Sequence, residues 1–180
     1  MDSTFDIRTV LIAVDGSSHA RKAALVGAML AEKFAARVVL LHVLLRGVPI
    51  ARLHELARSC GITQDRLDRL KPVAPPVYDF GLTVPSGIIH PVTPTELLVE
   101  LGHRILDLEK AAIEGRGIET VKTVIADGDA ADKILEVARQ ENADFVILGR
   151  RGLGALQGMM SGSVSTKVSH VAPVTVLSVT

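Results

Sequence analysis

Cysteine is almost missing: Cys60 is the only one in 180 residues, so the chain forms no internal disulfide and no all-cysteine metal site, which fits a reducing compartment. Tryptophan is absent, and Tyr78, Phe5, Phe34, Phe80 and Phe145 are the whole aromatic stock. A base-like ligand would therefore sit between aliphatic groups and not on an aromatic stacking platform. Net charge is absent too, with 20 basic against 20 acidic side chains. No global field draws polyanions, which argues against a nucleic-acid or membrane-surface protein and favours small partners. The longest apolar run, residues 38–45, is interrupted by His42 and falls well short of the roughly 20 residues that cross a bilayer. The opening Met1-Asp2-Ser3-Thr4 lacks a basic stretch before an apolar one. The expectation is a soluble, cytoplasmic chain with no membrane insertion. The six histidines show no pair at metal-ligand helical spacing, so no structural metal is expected.

What is present is 48% hydrophobic residues in a length that suits one compact domain. Five runs rich in Val, Ile and Leu, at 7–14, 37–44, 119–126, 144–148 and 174–179, are strand candidates. They are nearly continuous in apolar character, as strands of a parallel sheet covered on both faces are. Helical spacing separates them. Ser17 or Ser18 can cap a helix with Ala23, Gly27, Leu30 and Phe34 toward the sheet. Thr93-Pro94-Thr95-Glu96 reads as a cap, a first-turn proline and a capping box, opening a helix with Leu97, Leu98, Leu101, Ile105, Leu108 and Ala112 inward and Gly115 ending it in a left-handed turn. Asp129 can cap a helix bearing Ile134, Leu135, Val137 and Ala138, and a last short helix opens near Gly162-Ser163 and stops before Pro173. Alternating strands and helices predict right-handed crossovers and a doubly wound α/β sheet with helices on both faces.

Residues 46–92 depart from this economy, because such connections usually take about 2 to 6 residues. They read as an insertion between the second strand and the helix after it. Its first half has room for two short helices, 50–59 and 64–70, the second capped by Thr63; its second half opens a stretch, Pro72 to Pro94, that holds six of the eight prolines, and should be extended. Either it packs on its own domain or it serves as a lid or partner-docking element. Since strand and helix on either side look complete, it is expected to be dispensable for the fold.

Ligands of open parallel sheets bind at the carboxyl ends of the strands. Asp15, in Ala13-Val14-Asp15-Gly16-Ser17, is either a turn residue or a ligand contact there. Directly after the fourth strand, residues 149–163 carry five glycines and end at a helix start. Glycine allows positive φ and close backbone approach, so such a loop can turn successive N–H groups onto phosphate oxygens, although glycine content alone describes a surface loop equally well. The common NTPase loop is excluded because Lys167 follows no glycine, and no strand ending in Asp or Glu follows Gly152-Leu153-Gly154 to complete a dinucleotide fingerprint. Gly162-Ser163-Val164-Ser165 is not flanked as a nucleophile elbow. Arg150 and Arg151 would meet phosphate or stand solvated, and His42 reads as a satisfied half-buried histidine more readily than as a base.

The spacing distinguishes these readings. Gly149, Gly152, Gly162 and Ser163 fit glycine, two residues, glycine, nine residues, glycine, then serine or threonine, which resembles the nucleotide-binding signature of the universal stress proteins. Ala13-Val14-Asp15-Gly16-Ser17, Leu41-His42-Val43, Ala126-Asp127-Gly128-Asp129 and Pro173-Val174-Thr175-Val176-Leu177 resemble that family as well. The resemblance implies a single-domain five-stranded parallel sheet of order 3-2-1-4-5, ATP binding and a homodimer; Mg2+ is an optional companion of the nucleotide, and the C-terminal strand 174–179, apolar with no Lys, Glu or proline after Pro173, is the expected dimer contact. It also implies roles: Asp15 and the Val43 backbone along the adenosine, Gly149 near the ribose, and Gly152, Gly162, Ser163, Val164 and Ser165 about the phosphates, with Arg150 beside them. The expected function is ATP-dependent regulation of a stress response, in which nucleotide occupancy biases residues 46–92 or the dimer toward a protein partner. Two alternatives are a slow ATPase or phosphotransferase, and a nucleotide-free interaction module working through 46–92.

Overall fold

A computed structural model of the protein describes residues 6–69, 94–153 and 162–180. Five parallel strands, β1 (Thr9–Ala13), β2 (Arg37–Val43), β3 (Val121–Ala126), β4 (Phe145–Gly149) and β5 (Thr175–Val179), form one sheet of order β3-β2-β1-β4-β5. Six helices accompany them: α1 (Ser18–Phe34), α2 (Ile50–Ser59), α3 (Gln64–Arg69), α4 (Thr95–Glu114), α5 (Ala130–Gln140) and α6 (Ser163–Val171). The doubly wound order is the expected one.

Continuity of apolar character in the strands has a direct cause in the two covered faces. Val10, Ile12, Val38, Leu40 and Ile147 pack under α1 to α4, while their neighbours Leu11, Val39, Leu41, Val146 and Leu148 pack under α5 and α6. The edge strands β3 and β5 are correspondingly more exposed.

Helix α1 is capped by Ser17, whose Oγ accepts from the Ala20 N–H at 3.1 Å. Its buried stripe is Ala20, Ala23, Ala24, Gly27, Ala28 and Ala31; Phe34, expected to face the sheet, is 43% exposed. Small residues bring this helix so near the sheet that a Cβ on Gly27 would lie 2.8 Å from Ile12 Cγ1. Helix α4 also corrects its expected face. From Leu101 the buried positions advance in steps of four, through Ile105 and Glu109 to Ile113, so Leu108 and Ala112 turn outward. Pro94 occupies the position before that helix with no side-chain cap bond, Thr93 lies outside the described residues, and the left-handed turn falls at Gly117 (φ 89°) and not at Gly115 (φ −60°). Asp129 caps α5 as expected, accepting from the Asp132 N–H at 3.1 Å.

The two short helices of residues 46–92 form where expected, and Thr63 Oγ1 accepts from the Arg66 N–H at 3.4 Å. Their packing, however, overturns the premise that the flanking elements are complete without them. Leu53, Leu56, Ala57, Ile62 and Leu67 are buried in the same cluster as Ile12, Ala23 and Leu101. This part of the chain completes one face of the core. The expected extended course of the proline-rich half lies outside the described residues.

Candidate functional site

With β1 between β2 and β4, the winding direction reverses at the carboxyl ends of β1 and β4, and a cavity of about 570 Å³ opens there. All nine residues named from the sequence line it: Asp15, Val43, Gly149, Arg150, Gly152, Gly162, Ser163, Val164 and Ser165. Its lining is of two kinds. Leu44, Leu45 and Val48, following β2, line one side with aliphatic groups; Ile134 and Leu148, which pack in the cluster that Val164 of α6 joins, line it too, and among the described residues no aromatic side chain does. The polar part is the N-terminus of α6, preceded by Gly162 in an extended conformation (φ −75°, ψ 149°) with no side-chain cap bond. The Ser163 and Val164 amides have no acceptor inside the helix, and the helix dipole favours an anion before them.

The individual contacts are more structural than the roles that the resemblance implied. Asp15 does not present a bare carboxylate to the cavity: Oδ1 accepts from the Ser17 N–H at 2.9 Å and Oδ2 from the Leu153 N–H at 2.8 Å. It ties the β1 turn to the glycine segment. A Cβ on Gly152 would lie 2.5 Å from that same Oδ2, so the absence of a side chain there permits the tie. At Gly149 a Cβ would lie 2.8 Å from both Ala20 N and His19 C, which makes this glycine a requirement of packing β4 against the first turn of α1. Gly162 needs no positive φ. Its N–H donates to Arg150 O at 2.9 Å, and a Cβ would sit 3.2 Å from that oxygen, so any side chain there crowds the loop. The buried Ser165 hydroxyl lies 2.9 Å from Arg150 O and 3.0 Å from Gly162 O, which commits its one proton to a carbonyl.

Charge around the rim is largely compensated. Arg46 grips Asp127 through Nε and Nη2, both at 2.6 Å, and this pairing holds the Asp127 carboxyl below its ordinary range and the guanidinium above its own. The Asp132 amide and then Lys167 hold the Asp129 carboxyl low in the same way. Arg150 and Arg151 line the cavity, and no carboxylate among the described residues pairs with either guanidinium. The electrostatic balance there favours an anionic guest.

His42 departs from its expected half-buried, satisfied state. It is fully buried, Nδ1 donates to Val14 O at 2.9 Å, and Nε2 has no partner beside Gly102 of α4. Burial drives its pKa below the ordinary histidine value, the Val14 hydrogen bond opposing. It does not line the cavity and His19 does not either. Sequence reasoning missed Arg46, Val48 and Ile134 as cavity residues. Arg46 and Asp127 are 81 positions apart, and only the adjacency of β2 and β3 joins them.

The model of the universal stress protein family matches residues 6–53 and 77–180 of the chain. The chain is similar to the universal stress protein YxiE of Bacillus subtilis, 30% identical over 168 residues that cover 93% of this chain and 95% of that one. Among solved structures, a universal stress protein in complex with cAMP superposes with a TM-score of 0.62 at 17% identity, covering 97% of this chain and 98% of its own. A universal stress protein from Archaeoglobus fulgidus in complex with dAMP gives 0.58 at 16% identity, with coverage of 98% and 100%. At these identities the structural likeness shows the fold.

Proposed function

The chain belongs to the universal stress protein family, which places it among stress-response proteins, and from that premise we propose that it is a regulatory protein binding ATP in the cavity at the carboxyl ends of β1 and β4. Asp15, Val43, Gly149, Arg150, Gly152, Gly162, Ser163, Val164 and Ser165 make the site. The nucleoside lies against the aliphatic side and the phosphates meet the Ser163 and Val164 amides and the Arg150 guanidinium, with Mg2+ carried on the phosphates. One observation carries the reading: the nine residues, spread over the chain from Asp15 to Ser165, converge on one cavity whose lining combines aliphatic side chains with a helix N-terminus and two arginines. That two family members hold cAMP and dAMP supports an adenine nucleotide. The proposed setting is the cytoplasm, as a homodimer joined through β5, with residues 46–92 serving a protein partner.

Calorimetric titration with ATP and adenosine tests the site. Ser163→Ala, which keeps the amide but removes the Ser163 hydroxyl as a further donor to the phosphates, should weaken ATP by about 0.5 to 3 kcal/mol, roughly 2- to 150-fold, the span from a neutral to a charge-assisted hydrogen bond. Gly162→Val should abolish detectable ATP binding, because its side chain fills the approach to the α6 amides and crowds Arg150 O. Adenosine, lacking phosphates, should respond less. Unchanged ATP affinity in a folded Gly162→Val protein would sink the assignment and favour a nucleotide-free interaction module.

A further inference from the structure

Leu153 closes the described part of the glycine segment and is held at both of its peptide groups. Its N–H donates at 2.8 Å to Oδ2 of Asp15, which lines the cavity. Its C=O accepts from Arg52 Nη1 of α2 at 3.2 Å, and Arg52 does not line the cavity. The Leu153 side chain packs against the core cluster that holds Leu53 and Leu56 of the same helix. A second contact links α2 to the site: a Cβ on Gly16 would lie 2.8 Å from Leu56 Cδ1, so α2 rests directly on the β1 turn that carries Asp15. Helix α2 therefore touches both segments that Asp15 ties together, and its own place is set by the full burial of Leu53 and Ala57.

We infer that Arg52 is a positioning residue for the cavity, holding the Leu153 carbonyl from α2 so that the Gly149 to Leu153 segment keeps the course that presents Arg150 and Gly152 to a bound phosphate. The physical need is plain. A glycine-containing segment has much backbone freedom to lose on ordering, and a donor anchored on a packed helix limits that freedom before any ligand arrives. Arg is suited to this reach: Arg52 stands at an exposed position of α2, and its long stem carries one N–H of its planar head to the carbonyl. Asp15 and Arg52 act on one residue from opposite sides, which makes the aliphatic face of α2 and the phosphate end of the cavity parts of one unit. The claim about phosphate rests on the nucleotide reading above; the claim about Leu153 does not.

The test compares wild type, Arg52→Ala and Arg52→Lys, each first shown to be folded by circular dichroism. Two measurements are made: amide exchange of Leu153 by NMR, and titration with ATP and with adenosine. Arg52→Ala is expected to speed Leu153 exchange and to weaken ATP by about threefold to tenfold, the loss of one hydrogen bond at an exposed site, while adenosine changes by less than about twofold. Arg52→Lys keeps one N–H for the carbonyl and should restore most of both effects. Wild-type Leu153 exchange together with wild-type ATP affinity in Arg52→Ala overturns the inference. Equal weakening of ATP and adenosine, with Arg52→Lys no better than Arg52→Ala, overturns it too, because that pattern marks lost packing of α2. Should wild type bind no ATP, the nucleotide reading falls and Leu153 exchange alone decides: faster in Arg52→Ala supports the positioning role, unchanged refutes it.

Discussion

His42 shows how one side chain carries a pH dependence into the core. Its ring is fully buried, its Nδ1–H is spent on Val14 O, and its Nε2 faces α4 with no acceptor, so a second proton would create a charge with no partner. The unfolded chain has no such penalty and takes up that proton near pH 6.5. With the folded value depressed, His42 costs the fold nothing above about pH 7, and stability falls as pH drops from the unfolded value toward the folded one, by up to about 1.4 kcal/mol per pH unit. Urea unfolding at pH 7.5, 6.5 and 5.5 should show this loss in wild type and a shallower one in His42→Asn, whose amide N–H stands where Nδ1–H does and donates to Val14 O without titrating. Parallel pH profiles for the two proteins would remove His42 from the explanation. The glycines belong to the same scale. Gly149 is required by the backbone of α1 and Gly152 by the Asp15 carboxylate, so half of what looks like a ligand signature is packing.

Among the elements, α2 is the one whose role the sequence misjudged. Its length and its spacing of apolar residues were readable, but whether that apolar face meets the core or the solvent depends on where the chain goes after β2. Leu53 is fully buried, with Leu56 and Ala57 beside it, in the cluster shared by α1 and α4. Leu53→Ala should therefore cost about 2 to 5 kcal/mol, the usual range for a core leucine truncated to alanine, measured as a lowered denaturant midpoint at constant slope. A loss under about 1 kcal/mol would mean that α2 is a detachable surface piece. The family match pauses between residues 53 and 77, so α2 begins inside the shared pattern and continues beyond it.

At the scale of the whole molecule, β5 forms one edge of the sheet. The strand Thr175–Val179 contains no charged residue and no proline, and Leu177 is 37% exposed. Helix α1 beside it leaves Leu25 and Met29 exposed, the two elements being linked where Lys22 Nζ donates to Thr180 O at 3.2 Å. An unguarded edge next to an apolar helix face invites a second copy. Light scattering at low micromolar concentration should report about twice the 19.1 kDa chain mass, and a strictly monomeric mass would count against the proposed dimer. Among the described residues no helix is long and apolar enough to cross a membrane.

Local and periodic features were within reach of the sequence alone: strands that are apolar on both faces, caps at Ser17, Thr63 and Asp129, and a glycine spacing that named Gly149, Gly152, Gly162 and Ser163, to which the family resemblance added the other residues of the cavity. These are set by neighbours a few positions away, or by a repeat that the two faces of a sheet impose on every strand. Tertiary structure decided the rest, because it depends on which distant segments the crossovers bring together. Asp15 became a tie to Leu153, 138 positions on, and Arg46 found Asp127. His42 lost its solvent, and α2 turned its leucines inward onto a core that only exists once β1, α1 and α4 have met. No local pattern encodes those encounters, since the energy that selects them is burial and charge pairing between parts of the chain that approach each other only in the folded state.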